Sequence, residues 1–213
     1  MGFDKPTAPL CGVPLVVHSL RAIQDCVDIT VAVLVCAEYR TDEFTRLAAP
    51  FSKFRHIVAG GAERGTSVLH GLQALLSNPP LFVAVHDAAR PLASPALFSK
   101  VLAAAVSHGA ASAAQPVSDS LHRADASGLL HQTVPRTNLF AMQTPQATRF
   151  DLLVSALQSR HIAATDDVSA LIADGVHVLP LIHETPNIKI TYPADLLLAE
   201  ALKMTMPSAS IPS

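Results

Sequence analysis

Residues 82–117 read "FVAVHDAARPLASPALFSKVLAAAVSHGAASAAQPV", a strand, a helix and a second strand in succession. It opens on an apolar run, Phe82 to Val85, too short for a helix and β-branched at two positions, which reads as a buried strand. Ser94, Pro95 and Gly109 then bracket a helix over 94–109. Ser94 suits the N-cap, Pro95 the first helical position, and Gly109 the left-handed position past the end. Residues 111–117, "ASAAQPV", return to a strand. Strands apolar on both faces and joined by a helix imply a parallel sheet covered on both sides.

The same alternation extends outward. Upstream lie a helix (14–25), a β-branched strand "ITVAVLV" (29–35), a short helix (41–51), a strand ending in Gly60-Gly61 (56–61) and a helix (64–76). Downstream, 118–138 is polar and carries Gly and Pro, the composition of a hairpin or projecting arm. Helices at 149–160 and 165–175, short strands "VHVLPLIHE" (176–184) and "NIKIT" (187–191), and a helix (193–204) follow. The expected architecture is one three-layer α/β domain over 1–206, with a mostly parallel sheet, an arm at about 118–138 and a loose tail over 207–213.

Composition narrows the function. Half of the 213 residues are apolar and the net charge is −2, so no basic field awaits a nucleic acid. Phosphate binding has to come from a few placed groups. Cys11, Cys26 and Cys36 are odd in number and lack C-x-x-C spacing, against both a disulfide framework and a zinc site. No run of eighteen apolar residues reads as a membrane span. The opening "MGFDKPTAP" has no apolar signal-peptide region, and the chain reads as cytoplasmic.

Ligands of open parallel sheets bind beyond the carboxyl ends of the strands. Three such ends are unusual here. "GGAERGTS" (60–67) puts two glycines, Arg64 and Ser67 at a helix start, where free N–H groups favour an anion. A plain glycine turn with an N-cap explains the same residues equally well. Asp87, at the end of the 82–86 run, can bind Mg²⁺, with Arg90 near enough to pair with a phosphate. By itself a D-x-x-R loop is more often a cap with a surface ion pair. Lys189, between two isoleucines, points away from their face and reaches toward a phosphate, although a solvated strand lysine is the commoner case. His86 reads as a buried polar contact, and "TDD" (165–167) as an N-cap with acidic charge in the first turn.

In combination the motifs become specific. "GGAERGTSVLHGL", "VHDAARP", "PVSDSLHR", "QTPQ", "TDDVSAL" and "NIKIT-P-ADL" occur in this order. The chain resembles the 2-C-methyl-D-erythritol 4-phosphate cytidylyltransferases from Met1 to about Met204. A sister family acting on ribitol 5-phosphate shares much of the pattern. The resemblance implies a Rossmann-like nucleotidyltransferase fold with an arm that clasps a second subunit, a homodimer, and CTP and a polyol phosphate as ligands. It implies that Gly61 and Ser67 read the cytosine and ribose region, that Ala88 lies against the nucleotide, and that Asp87 serves Mg²⁺ and substrate. Arg90 then meets the sugar-alcohol phosphate, Lys189 stabilises the pentacoordinate phosphorus, and Thr165 lies near the polyol. Ser120 and Arg136 reach the neighbouring subunit's substrate from the arm.

The sequence also departs from that pattern. The family begins with a strand and a glycine-rich loop ending in Arg-Met-Gly, then Pro-Lys, whereas this chain opens at Met1-Gly2 with Lys5 before Pro6 and Thr7 at the lysine position. The resemblance thus implies roughly twenty further residues ahead of Met1, with Lys5 standing in for the missing lysine. His122 stands where Lys is usual, and Pro186 where an acidic residue is. The readings in contention are transfer to methylerythritol phosphate, the same chemistry on ribitol 5-phosphate, and a degenerate, non-catalytic relative.

Overall fold

Strands and helices alternate along the chain in the structure, a computed structural model that describes residues 4–159 and 165–205. In chain order the elements are β1 (Pro9–Leu10), β2 (Val13–Pro14), α1 (Leu15–Asp25), β3 (Ala32–Cys36), α2 (Thr41–Ala48), β4 (Phe54–Ala59) and α3 (Arg64–Gln73). Next come β5 (Phe82–Val85), α4 (Pro95–His108), β6 (Ala110–Pro116), β7 (Leu121–Ala124), β8 (Leu130–Val134) and β9 (Phe140–Arg149). The last are α5 (Phe150–Gln158), α6 (Asp167–Ala173), β10 (Leu179–Ile182) and α7 (Pro193–Thr205). The expected loose tail at 207–213, the residues Met1–Phe3 and Arg160 lie outside the described residues.

The signals that bounded α4 act as read. Ser94 accepts from the Leu97 backbone N–H at 3.2 Å, Pro95 begins the helix, and Gly109 takes φ 87°. A side chain at Gly109 would be strained there, which is why the helix stops on glycine.

Alternate residues of β5 serve opposite cores, which makes three layers. Phe82 and Ala84 pack with Leu97, Phe98, Val101 and Ala105 of α4. Val83 and Val85 pack on the other face, with Leu72 of α3, Leu153 of α5 and Leu171 of α6. A fully buried Leu or Val contributes about 1.5–3 kcal/mol, so these faces hold the layers together. Helix α1 joins the α4 layer to the β3–β4 pair, because Ile23 packs in both clusters.

Sheet order is β10-β6-β9-β5, with β3-β4 as a separate parallel pair. β10 pairs parallel with β6, while β9 runs antiparallel to both β6 and β5. The β5–α4–β6 crossover therefore joins strands of the same direction with one reversed strand between them. No strand was read at β9, because the residues it buries include Thr144, Gln146 and Thr148, which give no apolar alternation.

Two further expectations need correction. Residues 187–191 form no ladder: the segment is held instead by the Ile190 N–H on the Ala89 carbonyl at 2.8 Å. β5 is not fully buried either; all four residues are half-exposed. The reason is a cavity of about 600 Å³ between β3 and β5, lined by Val33, Val35, Val83, Val85, Leu20 and Phe98. Among the described residues β3 pairs only with β4 and β5 only with β9, so the edges facing this cavity carry no ladder.

The polar segment 118–138 is the expected hairpin. β7 and β8 pair antiparallel around an Asp125–Gly128 turn, with Gly128 at φ 84° and the Asp125 carboxylate accepting from the Ser127 and Leu129 N–H groups.

Candidate active site

β5, β6 and β10 run in one direction, so their carboxyl ends share one edge of the sheet, and Arg64, just past β4 of the separate pair, reaches Asp87 there. At the end of β4, the Gly60 N–H donates to the Cys36 carbonyl at 2.8 Å and the chain turns into α3. The second glycine is sterically required: a Cβ at Gly61 would lie 2.3 Å from Thr66 Cγ2. The Gly61 N–H donates to Ser67 Oγ at 3.1 Å, and that hydroxyl donates to the Glu63 carbonyl. Gly61 and Ser67 are therefore in direct contact, at the mouth of the cavity described above.

At the end of β5, Asp87 meets two cations. Its Oδ2 accepts from Lys189 Nζ at 2.9 Å, and its Oδ1 lies 3.4 Å from both Nε and Nη2 of Arg64. The Asp87 N–H donates to Thr144 Oγ1 at 3.0 Å, fixing the backbone that carries the carboxylate. Arg64 also donates to Asp167 Oδ2 at 2.8 Å. Asp167 is 1% exposed, and its Oδ1 has no partner among the described residues.

The electrostatics follow from these contacts. Burial alone would raise the Asp87 carboxyl, but the Lys189 hydrogen bond and the Arg64 and Lys189 charges outweigh it and hold it below the usual range. Burial raises Asp167 more than Arg64 lowers it. Burial opposes the Arg64 charge, yet the two carboxylates raise its pKa. Burial also pushes His86 down to about 4. Its ring bonds Thr144 Oγ1 at 3.1 Å and the Arg90 carbonyl at 3.2 Å, and meets Phe98 edge-on at 4.9 Å. A neutral histidine with both nitrogens engaged is a scaffold, as the sequence suggested.

Lys189 reaches Asp87 because its neighbours are pinned. Asn187 is buried and donates to Gln143 Oε1 at 2.8 Å and the Thr144 carbonyl at 2.9 Å. His183 bonds the same Gln143 oxygen at 3.1 Å. Ile188 and Ile190 sit in a core with Leu10, Leu15, Leu92 and Ala199, which turns Lys189 outward. The motifs "QTPQ" and "NIK" are thus two halves of one hydrogen-bonded brace. Sequence reading missed Gln143, Thr144 and His183; the polar "QTPQ" run is the signal for the first two, and His183 carries none.

Arg90 Nη1 donates to the Asn187 carbonyl at 2.7 Å, and its Nε is buried without a partner. Burial lowers its pKa, partly offset by Asp87, and no ion pair with a carboxylate engages it among the described residues. Ala88 lines the cavity beside Asp87. Ser120, Arg136 and Thr165 are exposed. Arg136 Nη1 donates to the Ser118 carbonyl at the base of the hairpin, and Thr165 Oγ1 lies 3.4 Å from Ser169 Oγ. Lys5 is not joined to this cluster; its charge acts on Asp195, at the start of α7. The structure thus brings Gly61 and Ser67 together, and Asp87 with Lys189, and leaves Lys5 apart.

Fold and site together define an α/β protein with convergent cations and an anchored carboxylate at its strand ends, an arrangement suited to anionic ligands. The model of the family IspD: 2-C-methyl-D-erythritol 4-phosphate cytidylyltransferase matches residues 1–205. A protein of that name from Pelotomaculum thermopropionicum is 39% identical over 206 residues, covering 93% of this chain and 85% of the relative. Another, from Dehalococcoides mccartyi, is 37% identical over 203 residues, covering 94% and 88%. Among solved structures, the 4-diphosphocytidyl-2C-methyl-D-erythritol synthase of Anaerococcus prevotii superposes with a TM-score of 0.84 at 25% identity, covering 95% and 91%. The 2-C-methyl-D-erythritol 4-phosphate cytidylyltransferase of Thermus thermophilus does so at 0.77 and 30%, covering 94% of each chain. The chain belongs to the 2-C-methyl-D-erythritol 4-phosphate cytidylyltransferase family, and its fold is the Rossmann-like one the sequence implied.

Proposed function

We propose that this chain transfers CMP from CTP to 2-C-methyl-D-erythritol 4-phosphate and releases pyrophosphate. The carrying observation is Asp87 between Lys189 and Arg64 at a strand end, in a chain of this family. An oxygen of the acceptor phosphate forms a bond to the α-phosphorus, and the α–β bridging bond breaks. That oxygen is already ionised, so no side chain needs to abstract a proton. The protein's task is to position two anions and to neutralise charge on the α-phosphoryl oxygens.

Roles follow from placement. Gly61 and Ser67 hold the cytosine and ribose end, and Ala88 leaves room for the nucleotide. Lys189 releases Asp87 to meet the α-phosphoryl group. Arg90, half-buried and without an acidic partner, takes the polyol phosphate, with Thr165 beside the polyol. Lys5 stands apart from this cluster, on the N-terminal segment. Asp87 would hold a divalent cation, Mg²⁺ or another. The donor set fits in charge: Asp87 offers one carboxylate held in its ionised form, while Asp167 is committed to Arg64. A single carboxylate suits Mg²⁺, which keeps water and phosphate ligands. When bound, the cation neutralises and orients the phosphates.

The arm completes the site from a second copy of the chain, through Ser120 and Arg136. Leu129 and Leu130, each 68% exposed near the hairpin's turn, support a partner surface there. No helix among the described residues is long and apolar enough to cross a membrane. The reaction draws on the free nucleotide pool, which places it in the cytoplasm. Pyrophosphate release with CTP and Mg²⁺ tests the reading, with methylerythritol phosphate and ribitol 5-phosphate assayed side by side. The first should be preferred; preference for the second, or release with neither, overturns it.

A further inference from the structure

The geometry points to Arg64 as a positioning residue with two seats, shared between Asp87 and Asp167 in the structure and drawn wholly onto Asp167 when a cation-bound triphosphate takes Asp87. The inference rests on the assignment of Asp87 to the cation. It begins from an imbalance. Arg64 makes a short bond to Asp167 Oδ2, 2.8 Å, and only 3.4 Å contacts to Asp87 Oδ1. Its grip on Asp87 is the weaker of the two.

Asp167 is built to take more. It is buried, and its Oδ1 lacks any partner among the described residues. A carboxylate accepts a guanidinium fork through both oxygens, and a buried acceptor left empty is destabilising. A turn of the Arg64 fork off Asp87 would fill that oxygen. The carboxylate does not have to move. Its frame is fixed by Asp166, which caps the Ser169 N–H at 2.8 Å, and by Gln146, which bonds Asp166 and the Val168 N–H.

Charge supplies the second argument. Asp87 and Asp167 balance Lys189 and Arg64 in the cluster. Once Asp87 meets a cation and Lys189 a phosphate, Arg64 would be a partly buried charge without a partner. Asp167 is its standing counter-ion, and the second seat keeps Arg64 from competing with the cation for Asp87.

The Nε–H NMR signal of Arg64, identified by its loss in Arg64→Lys, reads the seat directly. Mg²⁺ and CTP should shift it in the parent, and Asp87→Asn should shift it the same way without ligand. In Asp167→Asn the ligand-induced shift should vanish. The Mg²⁺ concentration for half-maximal pyrophosphate release should rise about tenfold while kcat at saturation changes less than about threefold, a coupling of ordinary size for adjacent sites. A signal that stays put in a parent shown by calorimetry to bind Mg²⁺ and CTP overturns the two-seat reading. So does unchanged Mg²⁺ dependence in Asp167→Asn. A parent that binds neither indicts the proposed function instead. Should Asp167→Asn not fold, the Asp87→Asn signal decides alone.

Discussion

Lys189 Nζ lies 2.9 Å from Asp87 Oδ2, although 102 residues separate the two in the chain. The lysine side chain is 50% exposed and the aspartate's 21%, so this pair adds little to stability, about 0–1 kcal/mol. Its value lies in where it places an ammonium group. Lys189→Ala should therefore leave the melting temperature nearly unchanged and lower kcat for pyrophosphate release by about 10²–10³-fold. It should also let the Asp87 carboxyl drift upward, because the Lys189 hydrogen bond is the largest influence lowering it. A large drop in melting temperature with intact turnover would make the pair structural.

His86 sets a pH dependence of stability. Its folded pKa, about 4, lies below the ordinary value of 6.5, so the unfolded chain binds the proton more readily. The stability of the neutral, buried ring is fully present above about pH 6.5 and drains away as pH falls toward 4. The span corresponds to roughly 3 kcal/mol, at about 1.4 kcal/mol per pH unit. Burial lowers His18 and His183 as well, in the same sense. Thermal melts from pH 7.5 to 4 should show the loss, and His86→Gln should flatten it. A parent melting temperature constant over that range would contradict the assignment.

How far the sequence carried depends on which residues face the core. β5, α4 and β6 were legible because their inward residues are apolar and their ends carry Ser-Pro and Gly. Asp87 was legible because a carboxylate cannot continue a buried strand. β9 was not, since Thr144, Gln146 and Thr148 are buried by hydrogen bonding rather than by apolar character. Asp167 was hidden differently. Two adjacent aspartates open α6, and local sequence cannot say which one caps. Asp166 does, accepting from the Ser169 N–H, and this leaves Asp167 to turn inward to Arg64. Lys5 rests on analogy of charge alone, and in the structure its charge lowers the Asp195 carboxyl at the start of α7.

The arm makes a claim that one subunit cannot test. Arg136 is exposed and bonded only at the hairpin's own base, so it has no evident task within its subunit. If it serves a neighbour, Arg136→Ala and Lys189→Ala should each be nearly inactive, while mixed dimers keep one intact site. Mixing equal amounts after partial unfolding should restore about a quarter of parental turnover, the statistical yield when half the dimers are mixed and each has one working site. Mixed dimers isolated by two affinity tags but inactive would remove Arg136 from the neighbour's site.

The cavity between β3 and β5 yields the last prediction. Both strands end at the Gly60–Asp87 edge of the sheet, since Arg64, just past β4, touches Asp87, just past β5, and β4 is parallel to β3. Their facing edges are therefore parallel, and the 600 Å³ between them is lined mainly by apolar residues. Unpaired edges seek a strand, and an apolar side chain buried there gains about 1.5–3 kcal/mol. A strand seated in that space and running the same way would pair on both sides. It would also deliver its following loop beside Arg64 and Ser67. A chain extended ahead of Met1 by about five alternating Val and Ile residues and a glycine-rich loop, lengths usual for such units, should then melt at a higher temperature. Amide exchange at Val33, Val35, Phe82 and Ala84, whose N–H groups face away from β4 and β9, should slow, and CTP should bind more tightly. An extended chain with unchanged exchange at those four amides would show that the cavity is not a seat for a strand.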